Sequence, residues 1–217
     1  MKKKLLVLAA AALSLTVAVS GTMAYFTDSS VAHNVITSGG VSIELIENTK
    51  DDAGTDIVWP EEGLSGIMPG TSASKIVSVA NIGQAEAWIR VGVDIAISES
   101  GDPITNPTIK CLPLTITVDG REVDVVSYSV DSEKWLRGED GYYYYNAPVT
   151  AGSTTENLFD EVTVATEMGN EYQNCTVYID VTAEAVQTAN NPIPDDGDVT
   201  DIKGWPDAAE PTPEPEV

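Results

Sequence analysis

The chain has 217 residues, with 34 acidic residues against 11 basic and a formal charge of −23 at pH 7. A surplus of that size excludes nucleic acid and anionic lipid as electrostatic partners, and it implies a self-repelling surface that added cations can screen. With one His and two Cys, the chain also falls short of the usual donor set of a catalytic zinc, which takes about three protein ligands, commonly His.

Lys2, Lys3 and Lys4 precede an uncharged apolar stretch over residues 5–19. That is the layout of a secretory signal peptide, and the run is shorter than the ~20 residues a spanning helix needs. Ser14 and Thr16 weaken it further as an anchor. Thr22 and Ala24 put small residues at the two positions a signal peptidase reads, so cleavage is expected between Ala24 and Tyr25, with a retained membrane anchor as the competing reading. Three of the 11 basic residues and none of the 34 acidic ones lie in residues 1–24, so the mature chain carries −26.

Residues 25–38 hold Phe26, Val31, Val35 and Ile36 without sustained alternation, which suits a separable leader or an edge strand. Gly39-Gly40 divides them from the alternation Val41-Ser42-Ile43-Glu44-Leu45, the first strand expected of a domain over residues 40–187. Residues 48–54 read as a turn, and residues 59–66 as a loop feeding a Pro69-Gly70 turn. Ile76, Val77 and Val79 form a β-rich run. From Ala87, the residues Ile89, Val91, Val93, Ile95 and Ile97 fall on every second position, with Trp88, Arg90, Asp94 and Ala96 between them, as in a strand with one buried face. Asn81 and Gly83 in the connection can take positive φ, so these two runs are expected to pair as a hairpin. Residues 112–118 and 122–128 flank Asp119-Gly120, a strong hairpin signal. Asp140-Gly141 repeats the device before Tyr142 to Tyr145. Residues 157–166 and 175–186 complete the strands; in the latter, Val177, Ile179, Val181, Ala183 and Ala185 alternate with polar residues. From Thr188 the composition turns to Pro, Asp, Glu and Gly, so residues 188–217 are expected to be a disordered acidic tail. Many short strands with turns between them and no helix-period segment after the signal predict an all-β fold, an antiparallel β-sandwich.

Several segments together resemble the TasA and camelysin family of secreted bacterial matrix proteins. One is Pro69-Gly70, a strand, Asn81 and Gly83, then Ala87, Ile89, Arg90 and Val91. A second is the Tyr pair Tyr144-Tyr145, then Ala151, Gly152, Thr154, Thr155, Leu158, Phe159 and Val162, and a long strand ending at Ala183, Ala185, Val186 and Gln187. A third is the junction Gly21, Thr22, Ala24, Phe26 and Asp28, similar to that processed by a dedicated SipW-type signal peptidase. The resemblance implies a jelly-roll sandwich, secretion to the extracellular matrix or surface of a Gram-positive-type bacterium, and no membrane anchor after processing. It also implies biofilm fibres of the chain itself, with other matrix proteins as further partners. Polymerisation would proceed by donor-strand exchange of residues 25–38, with Phe26, Val31, Val35 and Ile36 filling a neighbour's pockets.

Catalysis finds little footing in the residues. The camelysin branch has been described as metallopeptidases, but His33 is alone, no H-E-x-x-H occurs, and His33 reads better as a solvated strand residue. Ser72-Ala73-Ser74-Lys75 satisfies S-x-x-K, yet it leads into a β-run rather than a helix and lacks its partner motifs. No cofactor is implied. Asp195, Asp196, Asp198 and Asp201 lack EF-hand spacing and read as a solvated tail. Tyr142 to Tyr145 with Trp135 could stack sugars, although alternation sends half of those rings inward. Export permits a disulfide, and Cys111–Cys175 pairing across the sandwich stays open if their Cα atoms lie within about 7 Å. The expected function is a self-assembling matrix protein; the alternatives are a monomeric glycan-binding sandwich at the cell surface and a camelysin-like peptidase.

Overall fold

The computed structural model describes residues 40–59, 69–99, 106, 108–172 and 175–205. The signal peptide, the leader and the candidate residues Ala24, Tyr25, Phe26, Val31, Val35 and Ile36, with His33, lie outside the described residues. Eleven strands occur among them, in chain order β1 Ile43–Lys50, β2 Asp56–Val58, β3 Ser72–Asn81, β4 Ala87–Ser98, β5 Thr115–Val118, β6 Arg121–Asp124, β7 Val126–Tyr128, β8 Trp135–Arg137, β9 Tyr143–Tyr145, β10 Phe159–Val164 and β11 Thr176–Gln187. One sheet runs β2-β1-β3-β10-β7, a second runs β11-β4-β9-β8, and β5-β6 is a separate ribbon. All pairings are antiparallel.

The two sheets share one core. Ile43, Val77, Val79, Phe159 and Val162 of the first sheet are buried in the same cluster as Ile89, Val91, Trp135, Tyr143, Val181 and Ala183 of the second. The alternation in β4 and β11 does what period-2 patterning requires, because directly opposite residues share a face: Ile89 stands opposite Ala185, Val91 opposite Ala183 and Val93 opposite Val181. This ladder runs without a slip from Thr176↔Ser98 to Gln187↔Ala87. Burying aliphatic side chains such as Ile89 and Val91 stabilises by about 1.5–3 kcal/mol each. The Asp119-Gly120 hairpin forms as the sequence predicts. Both residues take positive φ, 50° and 78°, the backbone that a two-residue turn between twisted strands needs.

The expected β3–β4 hairpin does not form. β3 pairs with β1 and β10, β4 pairs with β11 and β9, and residues 82–86 carry the chain from one sheet to the other. Asn81, fully buried at the end of β3, organises the crossing. Its Nδ2 donates to Ala85 O and to Val149 O, both at 2.8 Å, and its Oδ1 accepts from Gly83 N at 3.0 Å. Its backbone N donates to Ser153 O and its carbonyl accepts from Gly152 N. Val149 in turn exchanges backbone hydrogen bonds with Ala87 at the start of β4, so one carboxamide ties both sheets to the loop over residues 147–155. Gly83 is required for space rather than for positive φ. A Cβ there would meet Ser42 N at 2.6 Å and Gly40 O at 2.9 Å.

The C-terminal expectation is also corrected. Residues 188–205 are folded, not disordered: after short 3-10 turns at Thr188–Asn190 and Val199–Asp201, Val199 and Ile202 are buried against Trp88, Tyr144 and Val186 on the outer face of the second sheet. The folded domain therefore extends to Trp205, beyond the expected boundary at Gln187. A few well-spaced apolar residues meeting a ready apolar strip outweigh an average composition that is polar.

Replacing Asn81 by Ala removes the side-chain partners of Ala85 O and Gly83 N and one of the two donors to Val149 O, which keeps Ala87 N. The expected loss is about 2–4 kcal/mol, read as a lower urea midpoint at unchanged m-value. Asn81→Asp should be at least as damaging, because it keeps the shape but loses the donor. A midpoint unaltered in either variant would show that the carboxamide does not hold the crossing.

Candidate functional site

The outer face of the second sheet carries a cluster of polar and aromatic side chains around Arg90. Arg90 projects from β4 on the outer face of the sheet, and strand register brings it a neighbour on each side: Glu184 on β11 and Tyr144 on β9. Arg90 Nε and Nη2 reach Glu184 Oε2 at 2.7 and 2.6 Å, while Nη1 reaches Tyr144 Oη at 3.1 Å and Asp140 Oδ2 at 3.2 Å. Tyr144 donates to the same Asp140 oxygen at 2.6 Å. The guanidinium carbon lies 4.1 Å from the ring centre of Tyr142 and 4.8 Å from that of Trp205, stacking geometry that suits a planar cation. Trp205 meets Tyr144 edge-on at 5.4 Å.

Burial alone would depress the Arg90 guanidinium, and the hydrogen bonds to Tyr144 and Glu184 more than reverse this, leaving it above its ordinary value. Burial pushes the Tyr144 phenol up, the bond to Asp140 adds to the shift and Arg90 opposes it. Burial likewise raises Tyr142. The arrangement is a neutralised, stacked cation under a strap made of residues 191–205. Trp88 Nε1 donates to Asn191 O at 2.8 Å at the start of the strap, and Trp205 Nε1 donates to Ile202 O at 2.9 Å at its end. Between the strap and the β8–β9 turn lies a cleft of about 730 Å3.

The aromatic run divides as alternation requires. Tyr143, Tyr145 and Trp135 enter the core, and Trp135 packs on Tyr145 at 5.1 Å. Tyr142 and Tyr144 point outward, but Tyr144 is only 3% exposed under the strap, so the four tyrosines form no open platform. Asp198 and Asp201 cap the 3-10 turn reciprocally, while Asp195 and Asp196 are exposed. Among the described residues, no group of three or more His, Cys, Asp or Glu is placed to hold a metal ion. Ser72 opens β3 and bonds Thr163 Oγ1, whereas Lys75, 1% exposed, is committed to Glu47 beneath the Trp59 ring; the S-x-x-K pair is not an assembled nucleophile and base.

The cysteines do not pair. Both are free thiols, Cys111 exposed and Cys175 partly buried, and burial pushes the Cys175 thiol up. Cys111 bridges to one side of Ser98 while Thr176, next to Cys175, pairs on the other side. Two strand spacings of about 4.8 Å therefore lie between them, beyond the reach of a disulfide.

No protein-family model matches the chain, and no curated protein is significantly similar to it.

Truncating the chain after Gln187 should uncover Trp88, Tyr144 and Val186 while leaving the shared core of the two sheets in place. The expected result is a red shift of tryptophan emission and new binding of an apolar dye, with cooperative unfolding retained. Unchanged emission would mean that the strap does not cover Trp88. The tyrosines predict a pH dependence. Tyr128, Tyr142 and Tyr144 are all raised above about 10, mainly by burial, so the fold favours their neutral forms. That stability is complete below about pH 10 and is lost as pH rises through the raised folded values. Circular dichroism should show base-induced unfolding setting in above pH 10, with the last part of the phenolate absorbance appearing together with it. Complete phenolate absorbance in a still-folded chain would contradict the assignment.

Proposed function

We propose that this is a secreted structural protein of a bacterial extracellular matrix, a TasA-like jelly-roll sandwich that polymerises by adding residues 25–38 of one copy to a sheet edge of the next. The observation that carries the reading is an antiparallel sandwich with an apolar edge strand that has no further partner among the described residues. β2 is the terminal strand of its sheet and is exposed throughout, with Ile57 at 46% and Val58 at 79%. An edge strand with free N–H and C=O groups and apolar side chains is a template for another strand. Further support comes from the chain's start within the described structure. Gly40 is held by Gln84, and Val41 is buried, so any segment ahead of them leaves from a fixed point beside the β3–β4 crossing. A leader that pairs with a neighbour makes a heterologous, non-closing contact, which propagates into a fibre. The residues of the resemblance support the reading as well, since Asn81, Gly83, Gly152 and Thr155 belong to one hydrogen-bonded assembly around the end of β3. The mature chain would be released by a SipW-type peptidase before Tyr25. Its charge of −26 opposes close stacking, so salt, divalent cations or acid favour assembly.

The mature chain beginning at Tyr25 and a variant lacking residues 25–38 are to be compared by size exclusion and electron microscopy across salt and pH. Fibres are expected from the intact chain alone, and Val58→Lys should reduce them without unfolding the domain. The proposal fails if the shortened chain forms fibres, or if the intact chain stays monomeric under every condition.

A further inference from the structure

The cleft beneath the strap has a chemistry that points to one class of ligand. Its volume, about 730 Å3, lies within the range of small-molecule sites, and Arg90, Glu139, Asp140, Tyr144, Asp201 and Trp205 contribute to its lining. An arginine in a cleft ordinarily suggests an anion. Here the guanidinium is already spent: Glu184 takes Nε and Nη2, and Asp140 and Tyr144 take Nη1. The Tyr144 hydroxyl is spent as well, since it donates to Asp140.

What the lining still offers is mostly acceptors. Asp140 is committed as well, its Oδ2 to Arg90 and Tyr144 and its Oδ1 to Tyr142 N at 3.2 Å, so among the described lining residues the carboxylates left are those of Glu139 and Asp201, beside the cation Lys203. Glu139 is exposed, and Asp201 uses one oxygen to accept from Asp198 N at 3.1 Å. Acceptors in excess favour a ligand rich in hydroxyl donors, and negative charge in excess favours an ammonium group. The Trp205 indole, partly exposed at the rim and braced by Arg90 and Tyr144, adds a flat apolar face of fixed orientation. Such a face suits the C–H side of a pyranose ring. A carboxylated or sulfated sugar would meet repulsion both in the cleft and from the whole chain.

We propose that this cleft binds an amine-bearing sugar, a glucosamine-type ring of a polysaccharide, stacked on Trp205 with its ammonium and hydroxyl groups directed to Glu139 and Asp201. The ligand is held by the folded domain itself, so the inference does not depend on polymerisation.

The test uses the mature full-length chain and isothermal titration with three probes: a glucosamine tetramer, its fully N-acetylated form and a galacturonate tetramer. Binding of the glucosamine tetramer is expected, weakened roughly ten-fold or more by N-acetylation, and none is expected of galacturonate. Glu139→Gln and Trp205→Ala should each weaken it by at least five-fold. The paired change Asp195→Asn with Asp196→Asn removes strap acids outside the lining and should leave it unaltered. Glu139 sits in an exposed turn, so its variant tests the cleft even if Trp205→Ala loosens the strap. Three results would overturn the inference: no binding of the glucosamine tetramer, equal or tighter binding of either other probe, or weakening by the Asp195/Asp196 change as large as by Glu139→Gln. The last would mark diffuse attraction to an acidic surface.

Discussion

Asn81 sits where β3 leaves the first sheet and the chain turns toward the second, and its carboxamide has to satisfy groups on both sides of that gap. A buried carbonyl without a donor costs about 1–3 kcal/mol, and Asn81 supplies the donor to Ala85 O and a second donor, beside Ala87 N, to Val149 O. One side chain with two donors and an acceptor serves all three groups together. The result is more than a local turn. Because Val149 also bonds Ala87, the start of β4 is fixed relative to the end of β3, and with it the register that faces Ile89 and Val91 into the shared core. Gly83 allows the backbone near Gly40 and Ser42 to close onto the same point.

The outer face of the second sheet depends on this register in turn. Arg90 meets Glu184 and Tyr144 only because β4 is flanked by β11 and β9 with those residues directly opposite. The exposed side of a sandwich sheet is ordinarily solvated, yet here it has a small core of its own, with Trp88, Val186, Val199 and Ile202 beside the stacked guanidinium. Ion pair, stacking and apolar contact reinforce one another in this position. The half-buried pair is not left to the solvent screening that makes most surface ion pairs nearly worthless.

How much of this could be read from the sequence followed from the range of the signal. β4 and β11 were legible because their alternation is long, and β5–β6 because Asp-Gly states its turn directly. β2 and β8, three residues each, carry no periodicity to read. The β3–β4 connection was misread because Asn and Gly near a strand end suit a hairpin and a crossing equally well, and only the long-range partners Val149 and Ser153 decide between them. The strap was missed since averaging over an acidic, Pro-rich segment hides Val199, Ile202 and Trp205. Trp88, a large apolar residue on the polar phase of β4, was the available hint that something covers that face. The Arg90 cluster joins residues far apart in the chain, so it needs register as well as pattern.

The β4–β11 ladder joins Ala87 to Gln187 and Ser98 to Thr176, so the longest strand pair in the domain closes over most of its length. Closing such a span before its contacts are rewarded makes the folding barrier largely entropic, and topologies of this kind fold slowly. β11 is also the last strand among the described residues, so β4, flanked by β9 on one side, lacks its longer partner until residues 176–187 have been made. A ribosome-bound or partly emerged chain therefore lacks the means to complete its core. The order of the strands thereby makes completion of the core wait on β11.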